Sequence, residues 1–125
     1  MLDCLVIEPL LGHRPVVTRV LFVCSQNRLR SPTAEQVFAD RPGFEVASAG
    51  LDSSACTPVS PELLQWADTI FVMERTHRAK LSKRFRAQLK DKRIICLEIP
   101  DQYSYMDPAL VKLLEAKAGR FFQQK

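Results

Sequence analysis

Four short apolar runs, at residues 20–23, 44–47, 69–73 and 93–99, alternate with stretches of helical periodicity. Each run has strand length and is too short for a helix. Between and after them, Ala34, Val37 and Phe38 fall on one helical face, as do Leu63, Leu64 and Ala67. His77, Leu81, Phe85 and Leu89 recur every four residues, and Leu110, Leu114, Ala118, Phe121 and Phe122 form a last amphipathic stripe. The order βαβαβαβα demands a parallel sheet, because a parallel neighbour is reached only through a crossover, and such crossovers place helices on both faces with right-handed connections. Three helix starts share one device: Ser31-Pro32, Ser60-Pro61 and Asp107-Pro108. In each, a side-chain oxygen can cap the free amides while proline fits the first turn.

The 125 residues suffice for one domain and its core. A content of 46% hydrophobic and 26% charged residues is globular rather than disordered. The cysteines, Cys4, Cys24, Cys56 and Cys96, are widely spaced without a C-x-x-C pair, and His13 and His77 are far apart. That pattern argues against a structural zinc site and a secreted disulfide scaffold, so no metal is expected and the setting reads as reducing and cytoplasmic. The leader at residues 1–18 lacks the basic start and long apolar stretch of a signal peptide, and no run approaches a membrane span. It is read as an N-terminal extension, an extra strand, a contact arm or a leader, preceding a single domain at residues 19–125.

The net charge of +4 is unevenly placed: residues 74–93 hold nine Lys/Arg against two acids. Phe85 is the sole aromatic there, so bases would find no stacking platform and nucleic acid is not the expected partner. A solvated helix face and a surface that attracts anionic substrates remain the two readings.

The first apolar run ends in Cys24, followed by the polar loop Ser25-Gln26-Asn27-Arg28-Leu29-Arg30 and the helix start at Ser31-Pro32. In a doubly wound sheet, ligands sit beyond the carboxyl ends of strands where the strand order reverses. Amides of residues 25–30 can converge there, and the dipole of the next helix adds positive potential, which suits phosphate. Arg30 can grip two phosphate oxygens with its planar guanidinium. The same cations favour a thiolate at Cys24, to which Ser31 can offer its hydroxyl. Asn27 tolerates the left-handed backbone that tight anion loops use.

Cys24, Asn27, Arg30, Ser31 and Pro32 spell C-x-x-N-x-x-R-S-P. This loop resembles that of the low-molecular-weight protein tyrosine phosphatase family. The resemblance continues through Ala34-Glu35, Ser48-Ala49-Gly50 and the stretch from Ala67 to Met73, and covers roughly residues 19–122. Short bacterial members are especially similar, through the I-P-D-x-Y-x-Y-M-D-P segment from Ile99 to Pro108. It implies an α/β fold with a four-stranded parallel sheet in the order 2-1-3-4. It further implies a metal-independent, cofactor-free phosphomonoesterase, a protein-tyrosine phosphatase first of all. Cys24 would form a phosphocysteine while Arg30 and the loop amides of Ser25, Gln26, Asn27, Arg28 and Leu29 stabilise the phosphoryl oxygens. Asp101 would act as acid and then base. Asp107 is the rival for that role, although Asp107-Pro108 reads as a cap. Tyr103 and Tyr105 would flank an aromatic ring, or pack as half-buried core. Expected ligands are a phosphotyrosine protein or a small aryl phosphate, and phosphate, sulfate or vanadate; no membrane is expected.

Some positions depart from the family pattern. Gln102 follows Asp101 where a proline is usual, Leu29 stands where larger members carry a second loop cysteine, and Gln26 replaces a glycine. The stretch from Leu51 to Thr57 holds no aromatic residue to wall a pocket. The alternatives are a non-catalytic phosphate- or phosphotyrosine-binding module and an arsenate-reductase-type redox enzyme. The latter wants a resolving cysteine, whereas Cys96 falls in a strand and Cys56 has no partner near it in sequence. His77, on the face with Leu81 and Phe85, reads as packed or capping, and Arg28 as either a recognition residue or a solvated one.

Overall fold

The computed structural model describes residues 17–123; the reading of the leader, with Cys4 and His13, falls on residues 1–16, outside the described ones, and extends to Val17 and Thr18. Strands β1 (Thr18–Cys24), β2 (Phe44–Gly50), β3 (Thr69–Val72) and β4 (Arg93–Cys96) form one parallel sheet in the order β2-β1-β3-β4. The connecting helices are α1 (Arg30–Val37), α2 (Pro61–Trp66), α3 (Arg75–Arg84), α4 (Arg86–Leu89) and α5 (Pro108–Ala118), closed by a 3-10 turn at Gly119–Phe122. The strand order reverses at β1, which lies between β2 and β3, so the carboxyl end of β1 opens onto the switch point.

Alternation along β1 divides the core in two. Val20, Phe22 and Cys24 face one side, with Phe38 at the end of α1, Leu110 and Leu114 from α5, and Phe122 from the closing turn. Leu21 and Val23 face the other, with Leu64, Leu81 and Leu89 from α2, α3 and α4. Both faces are covered, which explains why β1 reads as continuous apolar sequence rather than alternation. The first half-core is aromatic: Phe22 stacks on Phe71 at 5.2 Å between ring centres, and Phe38 on Phe122 at 4.2 Å.

Three sequence expectations need correction. Ser31 does not cap α1, which begins at Arg30 after Leu29 with no side-chain cap; its hydroxyl is engaged elsewhere. Ser60 and Asp107 do cap, accepting from the amides of Leu63 and Ala109. The run at 93–99 is a strand only to Cys96, because Glu98 takes a positive φ of 54° and breaks the pleat. The four-residue repeat from His77 to Leu89 is two helices, parted at Phe85, whose φ and ψ of −130° and 37° leave the helix.

Phe122 stacks on or meets edge-on several rings, including Phe38 and Phe44, and is 2% exposed. Phe122→Ala is expected to lower stability by about 3–5 kcal/mol, read from chemical denaturation. A loss below about 1 kcal/mol would mean that the closing turn does not seal this half-core.

Candidate active site

The side chain of Cys24 belongs to the β1 face that carries α1, so its sulfur meets the first turn of that helix. Ser31 Oγ lies 2.9 Å from Cys24 Sγ, and the Asn27 amide donates to the same sulfur at 3.3 Å. Asn27 adopts φ 55°, the left-handed turn that folds the loop back over the sulfur.

The loop carbonyls face outward. Those of Cys24, Ser25 and Gln26 accept from the amides of Leu51, Asp52 and Cys56 at 2.9, 2.8 and 3.2 Å. In a trans peptide the N–H opposes the C=O, so the amides of Ser25, Gln26 and Asn27 turn the other way, Asn27 onto the sulfur. Gly50 makes this docking possible. A Cβ there would sit 2.7 Å from the Ser25 carbonyl oxygen and 2.9 Å from the Asn27 nitrogen.

A buried relay fixes the Ser31 hydroxyl. Asn27 Nδ2 donates to Ser31 Oγ and to Ser48 Oγ, both at 2.9 Å, and Ser48 donates to Glu35 Oε1 at 2.5 Å. With one lone pair of Ser31 occupied by Asn27, its own proton can go to the sulfur at 2.9 Å or to the more distant Ala49 carbonyl at 3.4 Å.

Arg30 is 2% exposed. Its Nη1 donates to Glu74 Oε2 at 2.5 Å and to the Ile99 carbonyl at 2.7 Å. Asp101 Oδ1 stands 3.7 Å from Nε. Nε and Nη2 have no hydrogen bond among the described residues, which leaves the guanidinium edge that binds two oxygens in parallel. The Arg30 hydrogen bond holds the Glu74 carboxyl below the usual carboxylate range, and burial only partly opposes it.

His77, 2% exposed, ties α3 to the loop. Its Nδ1 accepts the Glu74 amide at 3.1 Å, which places the proton on Nε2, and Nε2 donates to Ser25 Oγ at 3.1 Å. Burial, then the Arg30 charge, pushes its pKa down to about 4, while Glu74 and Asp101 oppose and Lys80 reinforces the shift. The ring is therefore neutral near pH 7.

Cys24, Ser25, Gln26, Arg28, Leu29, Arg30 and Asp101 line one cavity of about 520 Å³. The structure thus brings together most residues singled out in the sequence. Asn27 and Ser31 are buried beneath the cavity as its supports. Asp107 is occupied as the α5 cap and does not line it. Neither Tyr103 nor Tyr105 lines it either: Tyr103 packs half-buried against the α1–α5 core, and Tyr105 is exposed. The sequence reading missed Glu74 as the partner of Arg30, and His77 as the contact of Ser25. The available signal was position: Glu74 directly follows the third apolar run, as Cys24 ends the first, so all reach the same sheet edge. Among the described residues no group of three or more His, Cys, Asp or Glu is arranged to hold a metal ion, and no helix is long and apolar enough to cross a membrane.

Two outcomes are expected. Gly50→Ala should displace the Cys24 loop, lowering stability by roughly 1–3 kcal/mol and weakening phosphate binding, measured by denaturation and calorimetry; unchanged binding would mean that the loop does not lean on β2. His77 has a folded pKa of about 4 against an ordinary 6.5, so the unfolded chain binds its proton first. Its contribution to stability is complete above pH 6.5 and declines as pH falls to about 4. Denaturation midpoints across that range should fall with pH in the wild type and fall less in His77→Gln; parallel slopes would refute the buried neutral ring.

No family model and no curated protein matches the sequence. Solved structures do match. Tyrosine phosphatase Wzb from Escherichia coli K30, in complex with phosphate, superposes with a TM-score of 0.69 at 23% identity, over 85% of this chain and 96% of that one. A low-molecular-weight phosphotyrosine phosphatase from Vibrio cholerae O395 gives 0.69 at 24% identity, over 83% and 94%. The YwlE arginine phosphatase from Geobacillus stearothermophilus gives 0.67 at 24% identity, over 83% and 92%. The chain has the α/β fold of the low-molecular-weight tyrosine phosphatases.

Proposed function

We propose that the protein is a cysteine-dependent phosphomonoesterase acting on phosphotyrosine or a related aryl phosphate. The observation that carries this reading is a sulfur at the end of β1, in contact with Ser31 Oγ and the Asn27 amide, in one cavity with Arg30 and Asp101. The similarity to tyrosine phosphatases, one of them holding phosphate, supports it.

The phosphoryl group would sit over Cys24, with its oxygens on the loop amides and on the Nε/Nη2 edge of Arg30. Glu74 and the Ile99 carbonyl hold the guanidinium in place beforehand, so little reorganisation is needed as charge shifts onto those oxygens. Cys24 Sγ attacks phosphorus: the S–P bond forms, the ester P–O bond breaks, and the electron pair leaves on the phenolic oxygen. Asp101, beside Arg30 and with its side chain 60% exposed, delivers a proton to that oxygen. Water then attacks phosphorus as Asp101 takes its proton, the S–P bond breaks, and phosphate departs. Ser31, fixed by Asn27, stabilises Cys24 as the leaving thiolate in this second step. The positive charge comes from the protein, so turnover is expected in the presence of a chelator. A cysteine nucleophile suits a reducing, cytoplasmic compartment.

A second reading, a phosphoarginine substrate, is favoured by the similarity to an arginine phosphatase. The redox alternative draws less support. Cys56 is exposed, and Cys96 lies half-buried on β4 against the α2–α4 core.

The test is hydrolysis of p-nitrophenyl phosphate with chelator present. Wild type should turn over and Cys24→Ser should fall to background while still binding phosphate; residual turnover in the variant would remove Cys24 as nucleophile. Asp101→Ala should slow poor leaving groups by roughly 10²–10⁴-fold and good ones far less. An equal loss for both would take the acid role away from Asp101. Phosphotyrosine and phosphoarginine compared side by side decide the substrate class.

A further inference from the structure

Next to the candidate active site lies a second cavity of about 500 Å³, lined by Ser25, Leu51, Asp52, Lys80, Lys83 and Arg84. The two cavities share Ser25 in their linings, so they adjoin. Helical spacing makes the far wall basic. Lys80 and Arg84 are four apart on α3, and Lys83 is three from Lys80, so all three crowd one side.

Arg84 is fixed there. Its Nη1 donates to the Leu51 carbonyl at 2.8 Å, and its guanidinium lies 5.1 Å from the centre of the Phe85 ring. Lys80 and Lys83 are exposed and form no ion pair among the described residues. The one acid of the lining, Asp52, already accepts from the Ser54 amide and hydroxyl at 3.2 and 3.1 Å. Those bonds, then Lys80 and Arg28, hold its carboxyl below the usual range. Arg28 lines the first cavity and Lys80 the second, so Asp52 marks the boundary between them. The second cavity therefore offers more positive charge than its own carboxylate neutralises. No aromatic residue lines the cavity, so it offers no stacking face to a nucleic-acid base.

We propose that this cavity is a second anion subsite, which reads an acidic side chain next to the phosphorylated residue of a peptide substrate. The proposal rests on the phosphatase reading above. Lys80 and Lys83 supply the recognising charge, Arg84 shapes the wall, and Cys24, Arg30 and Asp101 are untouched by the selection.

The experiment measures binding of two fluorescein-labelled phosphotyrosine peptides, one flanked by aspartates and one by alanines, to full-length Cys24→Ser protein. At low salt the acidic peptide should bind about fivefold tighter, as two exposed ion pairs allow. That preference should vanish when Lys80→Ala and Lys83→Ala are added, and in about 0.5 M salt. Equal affinity for the two peptides, a preference that survives the lysine substitutions, or tighter binding of a single-stranded oligonucleotide than of the acidic peptide would each overturn the subsite. Turnover of p-nitrophenyl phosphate is measured in parallel with Cys24 intact, where the two lysine substitutions should change nothing. If turnover is absent while the acidic preference and its dependence on the lysines persist, the phosphatase reading falls and the subsite stands.

Discussion

A guanidinium at 2% exposure must be paired, and the pairing of Arg30 organises the functional edge of this sheet. Arg30 opens α1, Glu74 leads into α3, and the Ile99 carbonyl and Asp101 follow β4. Two crossovers and the segment after the last strand, all distant in sequence, are thus bound to one cation. The cost of burying it is met by a short charged bond and a carbonyl, both on Nη1, and what remains of the group is the edge suited to phosphate. The requirement that folds the edge is the same one that prepares it for an anion.

Around this cation the sulfur is placed by simple parity. Cys24 follows Phe22 by two residues, so it inherits the α1 face and meets Ser31. The loop between them is held from outside by the backbone of residues 51–56, from below by Asn27 and Ser48, and from α3 by His77. Gly50 allows the close approach on which the first of these depends. A neutral His77 can serve as a fixed donor to Ser25 without adding a further charge beside Arg30.

Most of the fold was legible because both faces of the sheet are covered: the strands read as short apolar runs and the helices as stripes. Cys24, Arg30 and Asp101 were legible for a related reason, since residues just past a strand reach the carboxyl edge. What escaped were choices between competing partners. Ser31 reads in sequence both as a helix cap and as a hydroxyl for Cys24, and the fold takes the second and leaves α1 without a side-chain cap. Glu98 breaks β4 by a left-handed turn that an apolar neighbourhood conceals. Glu74 and His77 look like the start of an ordinary charged helix, and only the packing of α3 shows that one clamps Arg30 and the other holds Ser25. For the two tyrosines after Asp101 the resemblance and ordinary half-buried packing were both open, and Tyr103 packs against the α1–α5 core, where the Met106 amide, at φ 59°, binds Thr33 Oγ1.

The central claim is covalent: phosphorus passes through the Cys24 sulfur. Rapid acid quenching of Asp101→Ala protein during reaction with an aryl phosphate, followed by intact-mass and peptide mapping, tests it most directly. The account predicts a transient gain of one phosphoryl group, located on the peptide containing Cys24 and absent from Cys24→Ser protein. Turnover by the wild type without such an adduct, or a phosphoryl group on any other residue, would contradict it.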